Sequence, residues 1–190
     1  MGRPRQFVPA EALGSALEVL WEKGYEATSL DDLTAAMHLS RSSLYACFGS
    51  KHAVMIAAVR HYADTLFATL ETIASSMPAR EAVHAVLAAI ADVGAGRRGC
   101  FFVNSVTELA PRDAELAAFG QHHVARVAGL VVGLLERAGV SPELAPSRGA
   151  ALLSLAVGTI TLRKAGVPAS ALRTILNQAH LLLGDTTSSP

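Results

Sequence analysis

The stretch TSLDDLTAAMHLSRSSLYACFGSK, residues 28–51, decides the fold, because residues that begin and end helices alternate in it at short intervals. The Thr-Ser pair at 28–29 is followed by two aspartates, a pattern typical of a helix start closed by a capping box. Ser40 is a second candidate N-cap, and Gly49 is expected to end the helix that Ser40 begins. The sequence therefore predicts two short helices separated by a turn at 38–40.

A longer amphipathic helix precedes this pair, and another long helix follows it. Residues 9–23 carry apolar side chains at helical spacing and end at Gly24, and the repeated apolar positions are Leu13, Leu17, Leu20 and Trp21. Ser50 is expected to cap the fourth helix, which runs to about Ser75. Two short helices packed against a preceding helix are typical of a helix-turn-helix.

The rest of the chain also has helical periodicity. Its apolar spacing predicts further helices at about 83–90, 101–109, 113–138, 146–164 and 168–183. No segment shows the alternation of a β-strand, so we expect an all-α protein of about nine helices. We expect a helix-turn-helix domain at residues 1–50 and a helical bundle at residues 51–190.

Composition limits the classes of protein to consider. Hydrophobic residues make up 51% of the chain, but no uncharged run reaches the length of a membrane span, and the N-terminus lacks the apolar core of a signal peptide. Two cysteines, Cys47 and Cys100, suit a reducing compartment, so we expect a cytoplasmic protein with no membrane partner. The formal net charge is zero, and a nucleic-acid partner must therefore be argued from local geometry.

The second short helix has the residues of a DNA-reading helix on one face. Leu44 and Phe48 lie four residues apart and face inward, whereas Tyr45 faces outward and Lys51 begins the next helix. The first turn, where the helix dipole and free N–H groups favour phosphate, contains Ser40, Arg41, Ser42 and Ser43. An ordinary solvated amphipathic helix with several serines is the alternative that these residues leave open.

Residues 3–62 resemble the DNA-binding domain of TetR-type (tetracycline-repressor-like) transcriptional regulators, and residues 12–54 carry the resemblance. The matching features occur in order and spacing: the Gly24-Tyr25 turn, Thr28-Ser29, Leu33-Thr34, Ser40, Leu44-Tyr45, Phe48 and Ser50-Lys51. The resemblance implies a dimeric regulator, usually a repressor, whose C-terminal domain binds a small ligand and releases DNA. By position, the implied DNA contacts are Ser40, Arg41, Ser42, Ser43, Tyr45 and Lys51, together with Arg3 and Arg5 of the leading basic arm.

Three positions depart from the family pattern. His38 stands where glycine is usual, and a left-handed backbone there costs a histidine about 1 kcal/mol. Cys47 replaces a residue that is often polar, which removes a possible phosphate contact. His52 replaces a frequent glutamate, so an acid near phosphate is lost and a weak cation is gained.

A weaker resemblance begins at Gly99. GCFFVNSVTELAPRDAEL, residues 99–116, is similar to the C-terminal domains of one TetR subgroup. Polar and aromatic residues on these apolar helices are the candidate ligand contacts: Phe67, Phe101, Asn104, Glu108, Phe119, His122, Thr159 and Arg163. Hydrogen bonds within the core, and aromatic rings that merely fill it, are the alternative.

The last two predicted helices are the candidate dimer interface. Beyond one core-facing stripe, Leu153, Val157 and Leu162 extend the apolar surface round the helix, and a four-helix contact between two subunits would bury it. We therefore expect a homodimer that binds a palindromic DNA operator and is released by an unidentified small-molecule effector. The alternatives are a ligand-binding dimer with degenerate DNA binding and a small helical enzyme.

Three further patterns have little weight. GAGRRG, residues 94–99, fits a dinucleotide fingerprint but follows a helix rather than a strand. Glu81 and His84 form half of a di-iron motif without a second half. His122 and His123 point about 100° apart on a helix. No catalytic triad is recognisable, so we expect no enzyme activity, cofactor or metal.

Overall fold

The computed structural model describes residues 9–92 and 96–183, and within these ranges it contains ten α-helices and no strands. The helices are α1 (Pro9–Lys23), α2 (Leu30–Met37), α3 (Arg41–Phe48), α4 (Lys51–Ser76), α5 (Ala79–Ala91), α6 (Phe101–Leu109), α7 (Ala114–Arg137), α8 (Ala145–Ala165), α9 (Ala169–Asn177) and α10 (Ala179–Leu183). The predicted all-α class is confirmed. The predicted last helix is divided at Gln178 into α9 and α10.

Serine caps define the helix-turn-helix. Ser29 caps α2 in a capping box: its Oγ accepts the N–H of Asp32 at 3.0 Å, and its own N–H donates to Asp32 Oδ2 at 2.8 Å. Lys23 also donates to Asp32, at 2.7 Å, and these hydrogen bonds hold the pKa of Asp32 well below its usual value. Ser40 and Ser50 cap α3 and α4 without a capping box, since only their hydroxyls accept a backbone N–H, from Ser43 and Ala53; the caps are at the predicted positions.

The turn between α2 and α3 depends on a left-handed residue. His38 has φ 54° and ψ 40° and ends α2, as the comparison with the usual glycine predicts. A side chain in this conformation costs about 1–2 kcal/mol, since Cβ approaches the following carbonyl. The backbone N–H of His38 bonds the carbonyl of Ala35, and that of Leu39 bonds Thr34, so the turn is closed despite this cost.

The helix-turn-helix shares its core with the rest of the chain. Leu33, Leu44 and Met55 are fully buried in one apolar cluster that also contains Phe101 and Ile160. This cluster crosses residue 50, the predicted domain boundary, because the first part of α4 packs against α1 and α6 packs against α4. The boundary itself stays a prediction.

A second core lies farther along α4, where α5, α7, α8 and α10 meet. Leu70, Leu87, Leu134 and Leu152 are fully buried there. Helix α4 therefore contributes buried residues to both cores. Within the described residues, no helix is long and apolar enough to cross a bilayer.

Candidate nucleic-acid interface and adjoining cavity

The exposed face of α3 carries the side chains that the sequence assigns to DNA contact. Arg41 and Ser42 are exposed, and Tyr45 is a large aromatic side chain with 48% of its surface accessible. Leu44 is fully buried, and Phe48 packs against the same core. The predicted division of α3 into an inward and an outward face therefore matches the fold. The unexplained Cys47 is exposed.

Three hydroxyl groups form a network at the start of α3. Ser40 Oγ accepts the N–H of Ser43 at 3.1 Å, and it lies 2.9 Å from the hydroxyls of both Ser42 and Ser43. Ser40 is therefore first a helix cap, and any contact with phosphate has to share its hydroxyl. The network pre-orients Ser42 and Ser43 beside the free N–H groups of the first turn, which favour an anion.

Arg41 is not free in this structure. Its guanidinium makes a bidentate contact with Asp31 of α2, with Nε at 3.0 Å and Nη2 at 2.8 Å from Oδ1. The hydrogen bond to Asp31 raises the pKa of Arg41 above its ordinary value. Both side chains are well exposed, so the pair contributes little stability. Sequence reasoning missed Asp31 as a competitor of phosphate for Arg41.

Lys51 is placed beside Tyr25 at the start of α4. Its ammonium lies 4.4 Å from the centre of the Tyr25 ring, a cation–π contact that fixes the lysine next to the end of α3. Arg3 and Arg5, the predicted basic arm, lie outside the described residues.

The turn between α6 and α7 holds the helix-turn-helix in place. We call residues 108–115 the α6–α7 corner. Glu108 accepts two backbone N–H groups from the turn after α1, Tyr25 at 3.2 Å and Glu26 at 3.1 Å, and Arg112 donates to the Glu26 carboxylate. Glu108 was predicted as a ligand contact, but its carboxylate here joins two parts of the fold.

A second polar contact joins the α6–α7 corner to α4. Asp113 caps α7 by accepting the N–H of Leu116 at 3.0 Å, and its other oxygen lies 2.6 Å from Nε2 of His52. These bonds, that of Leu116 first, lower the pKa of Asp113. The predicted weak cation His52 is therefore already paired with an acid.

The predicted ligand residues occupy several different places. Phe101, Asn104 and Glu108 line an open cleft of about 350 Å³ near Trp21. Thr159 donates to the carbonyl of Leu155, and Arg163 is buried and donates to the carbonyl of Gly96. Phe67 and Phe119 each lie against the ring of His123, whereas His122 is exposed. The structure does not bring these eight residues into one site.

A separate apolar cavity lies between helices α4 and α8. It has a volume of about 90 Å³ and is lined by leucine, isoleucine, valine and phenylalanine side chains together with Cys100 and His123. His123 is 3% exposed, and its Nδ1 has no hydrogen-bond partner among the described residues. Sequence reasoning chose His122, although the spacing Leu116, Gly120, His123, Val127 would have placed His123 on the buried face of α7.

Three aromatic rings surround His123. Phe102 lies 4.6 Å away between ring centres, Phe119 is stacked at 6.2 Å, and Phe67 is at 6.5 Å. Burial, followed by the positive charge of Arg126, lowers the pKa of His123 below its ordinary value, while Asp64 opposes the shift. The imidazole is therefore neutral near pH 7 and is held in one orientation.

This pKa shift predicts a pH dependence of stability. Because the folded protein disfavours protonated His123, the unfolded chain binds more protons once the pH falls below about 6.5, and the free energy of unfolding decreases there. We expect wild-type protein to lose thermal stability more steeply than His123→Phe between pH 7.5 and 5.5. Melting curves at several pH values measure both slopes, and equal slopes would contradict the assignment.

The described part of the GAGRRG pattern, residues 96–99, has a structural role. Arg97 Nε donates to the carbonyl of Lys164 at 3.3 Å, and Arg98 lies 4.1 Å over the ring of Trp21 and bonds Glu18. These contacts fix the second half of GAGRRG against α1 and α8. Across residues 9–92 and 96–183, no three histidine, cysteine, aspartate or glutamate side chains gather as metal ligands.

The family model described as bacterial regulatory proteins of the tetR family matches residues 12–58, the segment from α1 into α4. The chain is 34% identical over 124 residues to YezE of Bacillus subtilis strain 168, an uncharacterised HTH-type transcriptional regulator. It is also 34% identical over 121 residues to the HTH-type transcriptional repressor ComR of Escherichia coli K12. The matches cover 63% and 61% of this chain and 63% and 58% of these relatives, which is less than two thirds of their lengths.

Solved structures extend the similarity over nearly the whole chain. SCO4454, a TetR-family transcriptional regulator from Streptomyces coelicolor, superposes with a TM-score of 0.82 at 25% identity, covering 92% of this chain and 93% of that one. A cysteine mutant of the TetR-family regulator CifR, complexed with 26-base-pair double-stranded operator DNA, has a TM-score of 0.72 at 28% identity. That match covers 93% of this chain and 97% of the CifR chain.

Proposed function

We propose that this chain is a TetR-family regulator, a ligand-released repressor that binds a palindromic operator as a homodimer; the match of residues 12–58 to the tetR family model and the similarity to SCO4454 support the proposal. The observation that carries the proposal is the outward face of α3. Arg41, Ser42 and Tyr45 are exposed on a helix whose other face is locked into the core. A short helix held in this way can enter a major groove with its first turn towards the bases.

The contacts proposed for DNA divide into two kinds. Hydroxyl and ammonium groups can donate hydrogen bonds to phosphate oxygens whatever the DNA sequence is. The residues suited to this role are Ser40, Ser43, Tyr45 and Lys51. Arg41 and Ser42, at the start of α3, are suited to base edges once Arg41 leaves Asp31. Arg3 and Arg5 remain proposed as an arm along the backbone or minor groove.

The proposed dimer uses the outer face of α8 with α9 and α10. The core-facing stripe of α8, with Leu152, Ala156 and Ile160, is buried within the subunit. The opposite face is uncharged and leaves Val157 and Leu162 exposed, while Leu181 is exposed on α10. Contact with a second copy would remove this apolar surface from water.

The proposed release mechanism uses α4. A ligand that enters between α4 and α8 changes the packing of α4, whose first residues adjoin α3 and whose N-terminal turn is tied to the α6–α7 corner through His52 and Asp113. A changed separation of the two α3 helices no longer matches successive major grooves, so specific affinity falls.

Fluorescence anisotropy with labelled DNA from either side of the gene tests the proposal. We expect binding by two chains per site that survives competitor DNA, weakens with rising salt, and requires two half-sites about one helical turn apart. Absence of sequence-specific binding at low salt would rule the function out.

The Asp31–Arg41 pair predicts a variant that binds DNA more tightly. Asp31→Asn frees the Arg41 guanidinium and removes a negative charge from the DNA-facing surface. We therefore expect the affinity for DNA at low salt to rise several-fold. The plot of log affinity against log salt concentration should steepen by about one released ion. Asp64→Asn, which breaks the exposed Asp64–Arg126 pair about 20 Å along α4, is the matched control. Equal affinities for the two variants would mean that Arg41 does not face DNA.

A further inference from the structure

The cavity beside His123 is built for a particular kind of molecule. Five helices contribute to its walls, through Leu66 of α4, Ile90 of α5, Phe102 of α6, Val127 of α7 and Ile160 of α8, among others. No charged side chain lines it. A charged ligand would lose its hydration there without gaining a partner, so the wall chemistry selects an uncharged molecule with an apolar body.

One polar position interrupts this apolar wall. The Nδ1 atom of His123 is buried and has no hydrogen-bond partner among the described residues, which is unusual because buried polar atoms are nearly always paired. The surrounding rings of Phe67, Phe102 and Phe119 restrict the rotation of the imidazole, so its position is fixed before any ligand arrives. A neutral imidazole nitrogen can donate or accept according to its tautomer.

The cavity also has an entrance. Val124 lines it and is 53% exposed, so it lies where the cavity opens to the surface beside α7. A volume of about 90 Å³ is smaller than the roughly 150 Å³ of an apolar cavity that accepts benzene. A ligand of six or seven non-hydrogen atoms would therefore fill the cavity and reach its mouth.

We propose that this cavity binds a small uncharged molecule with an apolar body and one hydrogen-bonding oxygen, of the class of phenols, short alcohols and ketones, and that Nδ1 of His123 bonds that oxygen. This inference deepens the proposed function. The part that concerns regulation, an effect of the ligand on DNA binding, rests on that proposed function. Leu66 lies fifteen positions after Lys51 on α4. The ligand would therefore contact the helix whose first residue, Lys51, is proposed to bind phosphate.

Titration calorimetry on the full chain without DNA tests the ligand class with three probes of similar size. We expect phenol to bind with a Kd near or below about 1 mM, toluene to bind about tenfold more weakly because it lacks the hydroxyl, and benzoate not to bind. Equal affinities for phenol and toluene would overturn the role of His123. Absence of binding by both phenol and toluene, or tight binding of benzoate, would overturn the proposal as a whole.

Two variants locate the binding. His123→Phe keeps an aromatic ring but removes the nitrogen, so phenol should lose its tenfold advantage over toluene. Val124→Trp enlarges a half-exposed side chain at the mouth and should weaken both probes. In wild-type protein, the ¹⁵N resonance of His123 Nδ1 should shift with phenol and not with toluene, which gives a result even if a variant fails to fold; the same shift with both probes would contradict the hydrogen bond.

Adding DNA separates this inference from the proposed function. Phenol is expected to lower operator affinity in wild-type protein and to have a weaker effect on His123→Phe. Phenol binding in calorimetry without an effect on DNA would leave the ligand site intact and reject ligand release. Specific DNA binding by a protein that takes up neither phenol nor toluene would retain the regulator and reject the ligand site.

Discussion

Leu44→Ala is expected to remove about 3 kcal/mol from the free energy of unfolding and to abolish operator binding. Leu44 is fully buried where α3 meets the core, so truncation leaves a cavity that the neighbouring helices cannot fill. The loss is large because α3 is only two turns long and Leu44 is its one fully buried side chain. Urea denaturation followed by circular dichroism measures the stability, and anisotropy with labelled operator measures the binding.

The neighbouring residue gives a matched control. Tyr45 lies on the opposite, exposed face, so Tyr45→Ala should change the free energy of unfolding by no more than about 0.5 kcal/mol. Its operator affinity should nevertheless fall at least about tenfold, because a contact with DNA is lost. A Tyr45→Ala variant that binds as wild type would show that this face does not meet DNA, and a stable Leu44→Ala variant would show that α3 is not held by the core.

Glu108→Ala is expected to remove about 2 kcal/mol from the free energy of unfolding. Its carboxylate accepts the N–H groups of both Tyr25 and Glu26, and a hydrogen bond to a charged group contributes about 1.5–3 kcal/mol net, with smaller values expected here because both bonds are partly exposed to solvent. Hydrogen exchange should quicken at these two amides in particular. Thermal melting and residue-resolved exchange measure the two effects.

A graded series tests this role for Glu108. Glu108→Gln keeps one acceptor oxygen and should fall between wild type and Glu108→Ala in both stability and exchange rate. Glu26→Gln weakens only the exposed pair with Arg112 and should cost less than about 1 kcal/mol. If the three variants melt alike, the α6–α7 corner does not hold the helix-turn-helix through Glu108.

Local signals explain why so much of the N-terminal part could be predicted. Ser40, Ser50 and Gly49 begin or end helices through contacts within four residues, and such contacts depend on the sequence alone. The left-handed conformation of His38 was expected only through the resemblance, in which glycine usually occupies that position. The helix break at Gln178 was missed because the apolar periodicity continues across it.

The partners of polar side chains could not be predicted in this way. Asp31 holds Arg41 from ten residues away, Glu108 reaches back 82 residues to Glu26, and His52 meets Asp113 across 61 residues. Each pairing depends on how helices that are distant in the chain pack together. The sequence showed that Glu108 was a polar residue on an apolar helix, but both a ligand contact and a structural hydrogen bond fit that observation.

By itself, the sequence determined the helical class, the caps of α2, α3 and α4, and the inward and outward faces of α3, because these follow from neighbouring residues and helical periodicity. Only the tertiary structure decided that His123 rather than His122 lines a cavity and that its Nδ1 has no hydrogen-bond partner among the described residues. It also decided that Arg41 forms an ion pair with Asp31. The reason is physical: the burial of an atom and the direction of a long side chain are set by the helices packed around it, which come from distant parts of the chain.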